Sequence, residues 1–225
     1  VMEKVFEPIQ INGLTLKNRL VVSAMLSNLA NADGTVSDAY IAYYEAKARG
    51  GWGLIITEDY IVAPHVGAGK TLAAIYDAEL ASNHAQMVER VHAAGGTIFA
   101  QIYHAGRETH SGLTGEQPVA PSAIKDPTMP EIPRALTKEE IKRIIEWFAQ
   151  SAYFVNEAGF DGVEIHGASG YLVGQFMSPF SNKRNDEYGG TIYGRAKFAV
   201  EIVKAIREKV GPDYPISFRL CTAEY

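Results

Sequence analysis

Three side chains able to donate or orient hydrogen bonds, His166, Ser169 and Tyr171, follow directly on the strand-like run Val163, Glu164, Ile165. An imidazole, a hydroxyl and a phenol thus sit just past the C-terminal end of a strand, at the head of a long polar loop that runs to Gly190. In a parallel α/β barrel that end of a strand is where chemistry is built. Four other strand-like runs also end in polar groups. The first leads into Ser23, Ala24, Met25, Leu26 and Ser27, and the second into Glu58 and Asp59. The third carries Gln101 and then His104, the fourth Glu164 and His166, the fifth Arg219. Read functionally, these form a ring around one pocket; read structurally, each is a strand-end cap. Five consecutive strands ending this way favour the ring.

The elements that must position these residues alternate along the chain. Strand-like runs cover Arg19–Ala24, Gly53–Thr57, Thr97–Tyr103, Asp161–Ile165 and Ile216–Leu220. Helical patterns cover Ala39–Arg49, Asp77–Ala94, a segment opened by Thr137 and running to about Ala158, and Ile192–Val210. Thr137 and Glu140 have the spacing of a capping box, in which each side chain bonds the other residue's backbone N–H. His104–Pro133 is rich in Gly and Pro and reads as a loop. Continuous apolar strands separated by long helices imply a parallel sheet buried on both faces. The βα repeat therefore predicts an α/β fold, either a doubly wound sheet or a TIM (β/α)8 barrel. No GxGxxG follows the first strand, which counts against a dinucleotide-binding sheet. A barrel has eight strands, and five are legible here, so the expectation is a barrel truncated after its fifth strand. Two open edges would remain, for a partner or a second copy of the chain to cover.

Composition narrows the function classes. The 225 residues are 47% hydrophobic and 21% charged, with a net charge of −5. No basic stripe favours nucleic acid or an anionic membrane. No apolar run approaches the roughly 20 residues that span a bilayer. The start, VMEKVFEPIQING, lacks a signal-peptide pattern. Cys221 is the single cysteine, so no internal disulfide and no zinc or iron–sulfur cluster is built from this chain's own thiols. A cytoplasmic setting is the expectation, and no metal site is expected.

A set of motifs resembles the Old Yellow Enzyme family of flavin-dependent oxidoreductases. They are Phe6-x-Pro8, Leu16-Lys17-Asn18-Arg19-Leu20, Ala24-Met25, Tyr43-Tyr44, and Gly53 through Glu58. Gln101 through Arg107 and Ala120-Pro121-Ser122 follow, and Gly159 through Gly190 is the longest match. The branch it is most similar to contains the 2,4-dienoyl-CoA reductases, 2-enoate reductases and bile-acid-inducible oxidoreductases. The resemblance implies that residues 1–225 are the N-terminal part of a single FMN-binding TIM-barrel domain. It implies NADH or NADPH as reductant, and hydride transfer through the flavin to an activated C=C bond of an α,β-unsaturated carbonyl or enoyl substrate. An iron–sulfur cluster or FAD would belong only to a longer parent chain, and a homo-oligomer is compatible with the open edges.

Carried over residue by residue, the resemblance implies that His166 binds the substrate carbonyl oxygen and that Tyr171 is the proton donor. Ser169 stands where many relatives have a second histidine or an asparagine, and as a shorter donor it leaves the usual two-donor clamp open. Gln101 corresponds to the side chain at the flavin pyrimidine edge, and Arg219 to the cation where negative charge collects on reduction. Ser23, Ala24, Met25 and Leu26 correspond to the segment running along the flavin. Leu26 replaces a Thr or Cys donor, which implies an altered flavin potential. Asp59 replaces a small residue, and it either adds charge beside the flavin, points away or pairs with Arg219. In the family the FMN phosphate is held by loops after the seventh and eighth strands, so the 225-residue chain alone is expected to bind FMN poorly and to turn over little. Two other readings remain at this stage: a non-catalytic half-barrel, and a metal-dependent barrel hydrolase using Glu58, His104, Glu164 and His166.

Overall fold

A computed structural model describes residues 3–223; Val1, Met2, Glu224 and Tyr225, the ends of the expected domain, lie outside the described residues. A 3-10 turn (Glu3–Phe6) leads into a hairpin of β1 (Ile9–Ile11) and β2 (Leu14–Leu16). Then come β3 (Val21–Val22), α1 (Asp38–Arg49), β4 (Leu54–Ile61), α2 (Ala78–Ala93) and β5 (Ile98–Tyr103). The long loop after β5 carries a short helix, α3 (Ser111–Thr114), and two small paired strands, β6 (Val119–Ala120) and β7 (Arg134–Ala135). The chain continues through α4 (Lys138–Glu157), β8 (Gly162–Gly167), α5 (Leu172–Met177), α6 (Ile192–Val210) and β9 (Ile216–Leu220).

Five strands form one all-parallel sheet in the order β3-β4-β5-β8-β9. Laid flat, its two edge strands would stand four spacings of about 4.8 Å apart, or about 19 Å. Yet the Arg219 guanidinium on β9 donates to the Ala24 carbonyl just past β3, at 3.3 Å. One side chain cannot span the flat distance, so the sheet curls, and it forms the greater part of a barrel wall with an interior face. Helices α1, α2, α4 and α6 cover the outer face, where Ile55, Ile98, Ile102, Val163 and Ile165 meet Tyr44, Val91, Phe148 and Ile202 in the main core. The capping box is formed, with Glu140 N–H donating to Thr137 Oγ1 and Thr137 N–H to Glu140 Oε2.

The interior fills in layers. At the bottom, Leu54, Ile56 and Phe99 pack on Leu16 of the hairpin. The hairpin is tied down by Asn12, whose amide donates to the Asp213 carbonyl at 2.8 Å in the turn before β9. Gly162 belongs to this layer for lack of space: a Cβ there would lie 2.5 Å from the Phe99 ring. The next layer is polar. Asp59, Gln101, Glu164 and Ser217 are successive register partners across β4, β5, β8 and β9. Above it come Tyr103, His166 and Arg219.

One irregularity decides what enters that polar layer. Ile56 pairs with Phe99, but Asp59 pairs with Gln101, so β4 carries one extra residue at a bulge around Thr57 and Glu58. Strict alternation from the inward Ile56 would point Glu58 inward. The bulge turns the strand's phase, as bulges beside active sites commonly do, and Asp59 points inward instead. At the bulge the Thr57 hydroxyl accepts the Gln101 backbone N–H at 3.1 Å in place of a ladder carbonyl. Among the described residues no helix is long and apolar enough to cross a membrane.

Candidate active site

Nine residues line one cleft at the C-terminal mouth of the sheet: Ala24, Met25, Leu26, Asp59, Gln101, His166, Ser169, Tyr171 and Arg219. They come from the ends of all five strands, as expected for a barrel active site. Of the ten expected site residues only Ser23 is left out; it is exposed on the chain leading to Ala24 and does not line the cleft. The wider ring is corrected in two places. Glu58 is turned away by the bulge, and its Oε2 accepts from Ser27 N–H and Oγ, both at 2.6 Å. His104 lines a separate cavity between the loop after β5 and α4. The four side chains of the hydrolase reading therefore do not converge, and no three His, Cys, Asp or Glu side chains among the described residues form a metal-holding group.

His166 and Tyr171 make one wall. After β8 the chain reverses through Ser169 and Gly170, both left-handed at φ 56° and 78°, and Tyr171 N–H closes the turn on the Ala168 carbonyl. The reversal lays the Tyr171 ring edge-on against His166, with centroids 4.9 Å apart and planes at 89°. Tyr103 backs Tyr171 at 4.8 Å. The turn is stapled from behind by Gln175, a buried side chain whose amide donates to the Gly170 carbonyl at 2.6 Å and the Ala105 carbonyl at 3.1 Å. Sequence reading overlooks Gln175 because its helix, α5, is only six residues long and has no periodicity to find.

The Ala168 N–H donates to His166 Nδ1 at 3.3 Å, which assigns the imidazole proton to Nε2. Burial, and then the Arg219 charge, hold the imidazole down to about 4, so it is neutral at physiological pH. Burial, then the Asp59 and Glu108 carboxyls, push the Tyr171 phenol up to about 12. It therefore keeps its proton at any ordinary pH.

Gln101 is fixed from below. Its amide nitrogen donates to Glu164 Oε1 at 2.8 Å, and the Ser217 hydroxyl donates to Glu164 Oε2 at 2.7 Å. With one of its two N–H groups engaged, Gln101 keeps its carbonyl oxygen and its second N–H for the cleft it lines. Glu164 and Ser217 are thus positioning residues, and Ser217, in the run Ile216–Leu220, carries no signal in the sequence alone. Opposite stand the exposed side chains of Met25 and Leu26.

A profile describing the NADH:flavin oxidoreductase / NADH oxidase family matches residues 4–225. The chain belongs to that family. An NADH oxidase of Thermoanaerobacter brockii is 47% identical over 220 residues, which are 96% of this chain and 34% of the relative. A cinnamate reductase of Clostridium sporogenes is 38% identical over 95% of this chain and 33% of its own length. Among solved structures, an old yellow enzyme homologue from Zymomonas mobilis superposes with a TM-score of 0.91 at 32% identity, covering 96% of this chain and 63% of that one. The chain thus spans about a third of the two curated relatives, and its curled five-strand sheet is the corresponding portion of an Old Yellow Enzyme barrel.

Proposed function

We propose that residues 1–225 form the N-terminal part of a single FMN-binding barrel domain, and that its cleft reduces an activated C=C bond with Tyr171 as proton donor. The observation that carries this reading is the pairing of His166 and Tyr171, a neutral donor and a proton-holding phenol in edge contact on one wall of the cleft. FMN fits the residues present. Met25 and Leu26 expose apolar side chains suited to a flat ring system, while the Gln101 carbonyl and the Arg219 guanidinium offer an acceptor and a cation suited to its polar edge. Ala24, Met25, Leu26, Gln101 and Arg219 would hold it, with Asp59 beside them. When bound, FMN supplies hydride drawn from NADH or NADPH.

The chain's own residues then do the rest. His166 Nε2–H donates to the substrate carbonyl oxygen, where negative charge gathers as hydride arrives at the β-carbon. Being uncharged, it polarises that oxygen without surrendering its proton. Tyr171 Oη gives its proton to the α-carbon, and so weak an acid does this only when a carbanion-like centre has developed. Ser169, exposed at the rim, is an accessory donor. The substrate class is an α,β-unsaturated carbonyl or enoyl compound, in keeping with a relative named cinnamate reductase. In the full-length protein, Tyr171→Phe leaves flavin reduction by NAD(P)H intact and slows alkene turnover by about 100-fold or more. Unchanged turnover overturns the assignment.

A further inference from the structure

Asp59 has no task in the chemistry above, yet the fold goes out of its way to present it. The bulge around Thr57 and Glu58 exists between two regular stretches of β4–β5 pairing, and its effect is to exchange Glu58 for Asp59 on the cleft side. The two carboxylates fare differently. Glu58 is bonded by Ser27. Asp59 is only 8% exposed, and no side chain among the described residues hydrogen-bonds to it or pairs with it as an ion. Its carboxyl opens instead into the cleft that holds Tyr171, His166, Gln101 and Arg219.

Burial without a side-chain partner disfavours the carboxylate. Burial raises the Asp59 carboxyl most and the neighbouring Glu58 adds to it, while a hydrogen bond from its own backbone N–H and the Arg219 charge across the cleft lower it, and the outcome is about 7. The other titratable groups facing it are Tyr103 from β5 and His166 and Tyr171 from β8 and the turn after it; the imidazole is neutral and both phenols are protonated. Among the described residues lining the cleft, Asp59 is the acid raised to near neutral pH; Glu108, also raised to about 7, by burial and then by Asp126, lies outside that lining, behind the Gly170 turn.

We infer that Asp59 returns the proton to Tyr171: as a neutral carboxylic acid it reprotonates the phenolate left after each protonation of substrate, and as a carboxylate it then takes a proton from solvent. The step balances. The Asp59 O–H bond breaks as the Tyr171 O–H bond forms, directly or through water, and one proton enters from bulk per substrate reduced. It runs downhill, from an acid near 7 to the conjugate base of one near 12. Asp59 acts through Tyr171, so it is a positioning residue that keeps a proton at hand rather than a group that touches substrate. The inference rests on the proposed role of Tyr171.

Two measurements test it. In the chain as it stands, carbon-detected NMR of the aspartate carboxyls shows one titrating near pH 7, and Asp59→Asn removes that resonance; an Asp59 carboxyl titrating near 4 overturns the inference. In the full-length, FMN-loaded protein, alkene reduction declines as pH rises through 7. Asp59→Asn lowers the rate by about tenfold at pH 6 and abolishes the decline, while Asp59→Glu restores it. An Asp59→Asn protein with the wild-type rate and the wild-type pH profile overturns the relay. The two readings fail separately: full turnover by Tyr171→Phe defeats the proton-donor assignment, whereas a slowed Tyr171→Phe beside an unaffected Asp59→Asn defeats only the relay.

Discussion

The two ends of the barrel interior share strands β4 and β5, with the bulge on β4 between them, and they have opposite characters. The lower layer is Leu54, Ile56 and Phe99, sealed by Leu16 of the β1–β2 hairpin. The upper layer, one register step on, is Asp59, Gln101, Glu164 and Ser217. Below, apolar area is removed from water and nothing is left to react. Above, one carboxyl, Glu164, is locked by two side-chain hydrogen bonds and another, Asp59, has no side-chain partner in the cleft among the described residues. Barrel folds keep stability at the bottom and chemistry at the top, and here the division falls within three residues of β4, between Ile56 and Asp59.

Breaking the lower layer should have the largest effect. Phe99→Ala removes its central ring and should cost about 3–5 kcal/mol in denaturant unfolding, because Gly162 opposite cannot fill the void. Changing the upper layer should work in the other direction. In the native state Asp59 is raised from 3.8 to about 7, so it keeps a proton that the unfolded chain gives up. That costs stability progressively as pH rises from about 4 to about 7, and the cost is constant above. Asp59→Asn should therefore match wild type near pH 4 and exceed it by up to about 4 kcal/mol at pH 8. Equal gains at both pH values would show that Asp59 is not held protonated.

Glu164→Gln sharpens the contrast between the two carboxyls of the upper layer. It sets an amide against the Gln101 amide and weakens the acceptor for Ser217, for about 1–3 kcal/mol. Its second signature is weakened flavin binding, read by fluorescence titration, since Gln101 loses its fixed orientation. The smallest effect belongs outside the barrel. Thr137→Ala deletes the α4 cap for about 1 kcal/mol and should leave the cleft's ligand affinity untouched.

Much of this arrangement is legible in the sequence, and the rest is hidden for definable reasons. Helix α6 and strand β9 have the bounds that their apolar patterns predict, and Thr137 with Glu140 marks the start of α4 to the residue. The cleft gathers residues from all five strand ends because strand-end position is a local property. The hairpin is missed although Asn12-Gly13 is a hairpin turn pair, with Asn12 at φ 53°; its strands of three residues are too short to show alternation. Strand β3 shrinks from the expected Arg19–Ala24 to Val21–Val22 because Asn18 takes over the local bonding, its side chain accepting from Leu20 N–H at 3.0 Å. The bulge is invisible because Thr57, Glu58 and Asp59 are three polar residues in a row. Any of them could face inward, and only the pairing with β5 decides.

The reversed turn after β8 also limits what this site can become. Ser169 lies at φ 56°, in a region that β-branched residues avoid and that Asn, Asp and His occupy several-fold more often than most. The residue at position 169 must therefore be drawn from a short menu set by the backbone before any substrate is considered. Serine, asparagine, aspartate and histidine can stand at position 169 without moving Tyr171; threonine, though it carries the same hydroxyl, would strain the turn that aims the phenol. Variation at this position is tuning within a conformational class, and a search for new substrate preferences there has few residues to try.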